Sequence, residues 1–154
     1  MKSCYIYARV ATEIQQKRGD SIEAQIKSLK NLAEDKNLAV KRVYWEVKSG
    51  IDKNRPELSK MLKSIKENKA KAILCTSLDR LSRNIEDLTN ILKLAEEKRV
   101  RIVTPSRVYG YHTDGSFSNE ILSLFSGYQK RMLSERVKRG VQLKKLQKMQ
   151  QKAA

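Results

Sequence analysis

Hydrophobic and polar positions along the first hundred residues switch repeatedly between the period of a strand and the period of a helix. Ser3 to Val10 is an apolar and aromatic run with an arginine near its carboxyl end, the pattern of a buried strand. After Asp20-Ser21, residues Ile22, Ile26, Leu29, Leu32 and Ala33 fall on one helical face, and Ser21 is placed to cap that helix. Leu38 to Val47 reads as a second strand. Pro56 can start a helix at its first position, with Leu58, Met61, Leu62 and Ile65 on the buried side. Lys71 to Thr76 predicts a short strand, Ile85 to Glu97 a helix with Leu88, Ile91, Leu92 and Ala95 inward, and Val100 to Val103 a fourth strand. Alternation of this kind predicts an α/β domain: a mostly parallel central sheet with helices on both faces. Ligand sites in such sheets gather at the carboxyl ends of the strands.

Beyond Pro105 the pattern changes. Tyr109 to Gly115 is rich in turn formers and reads as a loop, with His112 as one of its residues. From Ser118 to about Gln150 there is no proline, and Ile121, Leu122, Phe125, Tyr128, Met132, Leu133, Val137 and Val141 recur at helical spacing. A single helix of that extent would be roughly 50 Å long and would project from a small domain. Its apolar stripe then calls for a partner subunit. The competing arrangement is two helices broken near Gly140 and folded back. The organisation expected is an α/β domain at 1–117, a long helix at 118–150 for self-association whose basic end can reach a charged backbone, and a short tail at 151–154.

Length and charge narrow the partner. With 154 residues the chain holds one core, and it has no apolar run of membrane-spanning length and no charged-then-apolar leader. The expectation is a cytoplasmic protein with no membrane partner. The net charge is +16, from 33 basic and 17 acidic residues, and half of it falls from Lys130 onward, where nine Lys or Arg face the single acid Glu135. A polyanion is the implied partner, and since few aromatics interleave with the charge, double-stranded DNA suits it better than a single strand. Cys4 and Cys75 lie in separate strands without metal-ligand spacing, so neither zinc nor a disulfide is expected.

The most informative local sequence after the first strand is Leu78-Asp79-Arg80-Leu81-Ser82-Arg83. Arg80 and Arg83, three apart, can face one side on a turn or helix start, with Asp79 beside them. Arg9 ends the first strand, and Arg55 sits at the mouth of the next helix after Ser49-Gly50. Each guanidinium offers paired planar donors that stay charged, which suits phosphate. Four of them converging on one sheet edge are harder to read as surface ion pairs than any one alone.

Tyr7-Ala8-Arg9-Val10-Ala11-Thr12, Ser21-Ile22-Glu23-Ala24-Gln25, Ser49-Gly50 with Arg55-Pro56, and Leu78-Asp79-Arg80-Leu81-Ser82-Arg83 together resemble the catalytic domain of serine recombinases. This is the resolvase and invertase family, which includes the large serine integrases and transposon recombinases, and the match runs over roughly the first 140 residues. The resemblance implies a bacterial or phage-encoded enzyme of site-specific recombination. A serine hydroxyl attacks a DNA phosphodiester, a 5′-phosphoserine link forms, a 3′ hydroxyl is freed, and a tetramer exchanges strands. No metal or other cofactor is implied, since an arginine cluster can neutralise the transition-state charge. Carried over, Arg9, Arg80 and Arg83 form the phosphate clamp with Arg55 assisting, and Asp79 orients the arginines or handles a proton. Gln25 and Ser49 are supporting polar residues, and Tyr7 is a wall of the site. Glu135 and Arg136 match a pair shared between site and interface, and Arg136, Lys138, Arg139, Lys144 and Lys145 are expected to contact DNA.

Two departures stand out. The family's nucleophile falls at Ala11, and alanine lacks only the Oγ, so the clamp is expected to survive while covalent chemistry does not. Deleting one atom of a nucleophile is a common experimental device, which favours an engineered Ser→Ala over a natural inactive relative. The other departure is Tyr128-Gln129-Lys130, where family members carry a Phe-Glu-Arg type sequence. Two other readings compete: a non-catalytic DNA-binding and oligomerisation protein on the same fold, and a tyrosine recombinase or nuclease using Tyr109 or Tyr111. The second lacks an HxxR context around His112 and paired acidic metal ligands.

Overall fold

In the computed structural model the described residues are 1–11 and 21–110, together with Gly127, Ser134, Val137 and Val141. The chain forms two compact units, Met1–Thr113 and Asp114–Ala154. The first is built from β1 (Lys2–Val10), α1 (Ile22–Asp35), β2 (Leu38–Val47), α2 (Pro56–Lys66), β3 (Ala72–Leu74), the short α3 (Leu78–Leu81), α4 (Ile85–Glu97), β4 (Arg101–Val103) and β5 (Val108–Tyr109). The sheet order is β2-β1-β3-β4-β5, with the first four strands parallel and β5 antiparallel to β4. It is the mostly parallel sheet with helices on both faces that the periodicity predicts.

Alternation along β1 divides the core. Cys4, Ile6, Ala8 and Val10 pack with Ile22, Leu29 and Ala33 of α1. Tyr5 and Tyr7 point the other way, where Tyr5 meets Tyr44 edge-on at 5.4 Å and the Tyr44 hydroxyl bonds Ser64 of α2 at 3.2 Å. Parallel strands joined by right-handed crossovers require this arrangement: the step from β1 to β2 reverses direction relative to the steps to β3 and β4, so α1 lies on one face and α2 on the other. β1 is thereby central and buried on both sides, which its unbroken apolar pattern anticipated.

Helix ends follow local chemistry. Ser21 accepts the amide of Ala24 at 3.1 Å, Pro56 opens α2, and Asn84 Oδ1 accepts the amides of Glu86 and Asp87 at 2.8 and 3.3 Å. We expect Asn84→Ala to cost about 1 kcal/mol and about 3 °C in melting temperature, read by thermal unfolding.

Two expectations need correction. β3 and β4 are each shorter than the strands read from sequence, because ladder pairing covers only Ala72–Leu74 and Arg101–Val103. Tyr109 is not a loop residue: Thr104 bonds both the amide and the carbonyl of Arg107, closing a turn that returns the chain as β5, with Tyr109 buried opposite Ile102. Of the turn or helix start open to Arg80 and Arg83, the structure has the helix end between them: α3 stops at Leu81 and Ser82 is extended.

In the second unit Gly127, Ser134, Val137 and Val141 are helical, and Val137 and Val141, four residues apart, are both exposed. The rest of the helix expected over 118–150 lies outside the described residues, as do Thr12, Tyr111, His112, the Tyr128-Gln129-Lys130 stretch, Glu135, Arg136, Lys138, Arg139, Lys144 and Lys145.

Candidate active site

The carboxyl ends of β1 and β3 flank the point where the strand order reverses, the place in an open α/β sheet where a crevice forms. Arg9 is the penultimate residue of β1 and is fully buried. Its backbone is fixed by a reciprocal pair with Gln25 of α1: the Arg9 amide donates to Gln25 Oε1 at 3.3 Å, and Gln25 Nε2 donates to the Arg9 carbonyl at 3.2 Å. Its side chain crosses to the turn after β3. There Nε donates to the carbonyl of Arg80 at 3.0 Å and Nη2 to that of Asp79 at 2.9 Å, while Nη1 donates to the carbonyl of Lys48, directly after β2, at 2.6 Å.

Arg55, also buried, approaches the same turn from α2. It donates to the carbonyls of Leu81 and Arg80, the latter at 2.9 Å, to the Tyr7 hydroxyl, and through Nε to Glu46 Oε1 at 3.3 Å. The Tyr7 hydroxyl donates to the same Glu46 oxygen at 2.5 Å. Burial drives the Tyr7 phenol above its ordinary range, with Arg55 opposing and Glu46 adding to the rise. Tyr7 is therefore a neutral donor at physiological pH.

The backbone of α3 is thus held by two buried guanidiniums, whose N–H groups donate to carbonyls instead of water. Arg80 and Arg83, carried by that turn, are partly exposed, as are Asp79 and Ala11, the residue at the bend directly after β1. Arg83 is tied to the loop after β2, its amide donating to the carbonyl of Gly50 at 3.0 Å. Of the residues predicted from sequence, Tyr7, Arg9, Gln25, Arg55, Asp79, Arg80 and Arg83 are brought into one connected cluster. Ser49 stands beside it, exposed, with its hydroxyl accepting the amide of Ile51 at 3.4 Å.

One member was not foreseen. Glu46 is buried and is the carboxylate on which Tyr7 and Arg55 meet. Its signal is in the sequence: two residues after Tyr44 in a strand, it shares the inward face, and an inward acid needs a cation.

Electrostatically the cluster suits an anion. Burial first, then the positive charges of Arg55, Arg83 and Arg80, lower the Arg9 pKa from its ordinary value to about 10 against an opposing contribution from Tyr7. Arg9 remains charged at neutral pH, so the penalty is carried by the folded state until an anion offsets it. The sign follows: a depressed basic pKa means stability rises only as pH climbs past about 10, and a bound dianion supplies at pH 7 what alkali would supply there. Phosphate at tenfold its Kd should stabilise by about 1.4 kcal/mol, a rise of about 4 °C, while sodium chloride at matched ionic strength should not. Thermal scans in the two salts check this.

Burial pushes the Cys4 thiol up to about 11 and the Cys75 thiol up to about 12, so neither is a nucleophile at neutral pH.

Comparison with known proteins places these features. The family model described as "Resolvase, N terminal domain" matches residues 4–150. A protein named Resolvase from Clostridium perfringens (strain 13 / Type A) is 31% identical over 139 residues, covering 88% of this chain and 68% of that protein. Among solved structures, the N-terminal catalytic domain of TP901-1 integrase is similar with a TM-score of 0.69 at 25% identity, covering 85% of this chain and 98% of that one. The C-terminal catalytic domain of ISC1926 TnpA, an IS607-like serine recombinase, has a TM-score of 0.61 at 26% identity, over 79% of this chain and 76% of that one.

Proposed function

The chain belongs to the resolvase family of serine recombinases, and from that premise we propose that its carboxyl edge holds a scissile DNA phosphate which this sequence cannot attack. The observation that carries the reading is the convergence of Arg55, Arg80 and Arg83 on Arg9, two residues before position 11. Arg80 and Arg83 meet the phosphate oxygens. Arg9 and Arg55 lie beneath, fix the turn that presents them, and add their field. With serine at position 11, Oγ gives up its proton to water and attacks phosphorus, a 5′-phosphoserine bond forms, and the P–O3′ bond breaks with its electron pair on the 3′ oxygen. Asp79, at the same turn, is the group we assign to that oxygen's proton. With alanine the sequence of events stops at binding. The C-terminal unit supplies self-association and non-specific contact to duplex DNA through Arg136, Lys138, Arg139, Lys144 and Lys145. The likeness to integrase and transposon-type catalytic domains supports a parent from those branches of the family.

The test is cleavage of supercoiled DNA carrying the cognate site, with chelator present, by the protein in its full-length context. The Ala11 form is expected to bind without cutting, and Ala11→Ser to cut. A folded Ala11→Ser protein that binds and self-associates but never cuts overturns this in favour of a non-catalytic assembly protein. Attack by Tyr109 is disfavoured by its burial in β5.

A further inference from the structure

Gly50 is buried between the loop after β2 and the guanidinium cluster, and its backbone does not explain why it is glycine. Among the described glycines only Gly110 has a positive φ, so a left-handed backbone is not what calls for glycine at position 50. The constraint is spatial. A Cβ built on Gly50 would lie 2.7 Å from Cγ and 3.1 Å from Cδ of Arg83, and 2.9 Å from Nη2 of Arg9. The first and last of these are closer than real Cβ contacts come. Both neighbours are anchored beside this loop, so making room moves a side chain of the cluster. The Arg83 amide is bonded to the Gly50 carbonyl at 3.0 Å, so the stem of the side chain starts from a fixed point against this loop. The Ser82 hydroxyl also approaches that carbonyl, at 3.5 Å, and accepts the Asn84 amide at 3.0 Å, which ties the same turn to the cap of α4. Arg9 is held by three carbonyls from Lys48, Asp79 and Arg80.

We propose that Gly50 is a positioning residue: its missing Cβ is the space that lets the side chains of Arg83 and Arg9 lie side by side against the loop after β2. The function assigned to that pairing rests on the reading of this edge as a phosphate site; the spatial claim does not. A methyl at position 50 displaces the Arg83 stem first, because its Cγ is the closest atom, and moves its guanidinium with it.

Two measurements decide it. In a thermal double-mutant cycle on the whole chain, Gly50→Ala is expected to lower the melting temperature by about 3–6 °C. Arg83→Ala removes the Cγ and Cδ contacts, and in that background the same substitution should cost at most half as much. In NMR spectra, Gly50→Ala should shift the Arg83 Nε–Hε resonance while leaving that of Arg42, at the exposed edge of β2, in place. The Arg83 resonance should also respond to inorganic phosphate with about tenfold weaker affinity than in the unaltered chain. An equal loss of stability in both backgrounds, or an unmoved Arg83 resonance, overturns the positioning role. If phosphate fails to bind the unaltered chain, the phosphate-site reading falls, and the thermal cycle with the Arg83 shift still decides the role of Gly50.

Discussion

Arg55→Ala lowers the unfolding free energy by about 4 kcal/mol and the melting temperature by about 12 °C. The size follows from what the guanidinium leaves behind. Glu46 is 6% exposed, and without Arg55 its carboxylate keeps only the Tyr7 hydroxyl and the Glu57 amide. The carbonyls of Arg80 and Leu81 lose the same partner. Removing one member of a buried pair costs far more than the pair contributes, because the remaining charge has no water to return to. Arg55→Lys should recover part of the loss, since an ammonium restores the charge but cannot span acceptors on Tyr7, Glu46 and the α3 turn together. Lys60→Ala is the control: its pair with Glu57 is largely in solvent and should be worth no more than about 0.5 kcal/mol. Urea or thermal unfolding of the three variants separates these outcomes, and an Arg55→Ala protein melting within a degree of the unaltered chain contradicts the network described above.

Ala11→Ser, in the full-length protein on its cognate DNA, is expected to raise covalent cleavage by a factor on the order of 10⁴–10⁶. Two features support so large a change from one atom. The nucleophile is required for the bond that forms, so no residual route of comparable rate exists without it. The scaffold around position 11 is already in place: β1 is paired on both sides, Gln25 clasps the backbone of Arg9, and the α3 turn is locked from below. DNA affinity should therefore change by less than about twofold, because Oγ contributes little to binding compared with the arginines and the basic C-terminal unit. Gel shifts and cleavage kinetics on the same preparations resolve the two quantities.

Much of the first unit was legible because period and punctuation agreed. β2 and α4 occupy the spans expected for them, and the inward residues of α4 are those its spacing selects. β5 escaped notice because two residues carry no period, and the Thr104–Arg107 turn that creates it depends on one threonine side chain bonding both backbone groups of a residue three positions on. At the site, the arginines were visible as residues but not as tiers. Arg9 read as an equal of Arg80 and Arg83, with Arg55 assisting, whereas the fold buries both Arg9 and Arg55 and directs their N–H groups to protein acceptors. Spacing allowed Arg80 and Arg83 to face one side on a turn or a helix start; in the structure the helix ends between them, and the Gly50 carbonyl accepts the Arg83 amide. Glu46 and Gly50 show the complementary case, in which an ordinary-looking residue acquires its role only from what tertiary structure places against it.

The central claim, a complete phosphate clamp facing a position that lacks its attacking atom, is tested most directly by locating the covalent bond. Full-length Ala11→Ser protein is trapped on cognate DNA in denaturant, digested with protease and nuclease, and sequenced by tandem mass spectrometry. The account predicts a nucleotide joined through its 5′ phosphate to the serine introduced at position 11, a free 3′ hydroxyl on the other end, and no adduct from the Ala11 protein. An adduct carried by any other residue, or one formed equally well with alanine at position 11, would contradict it.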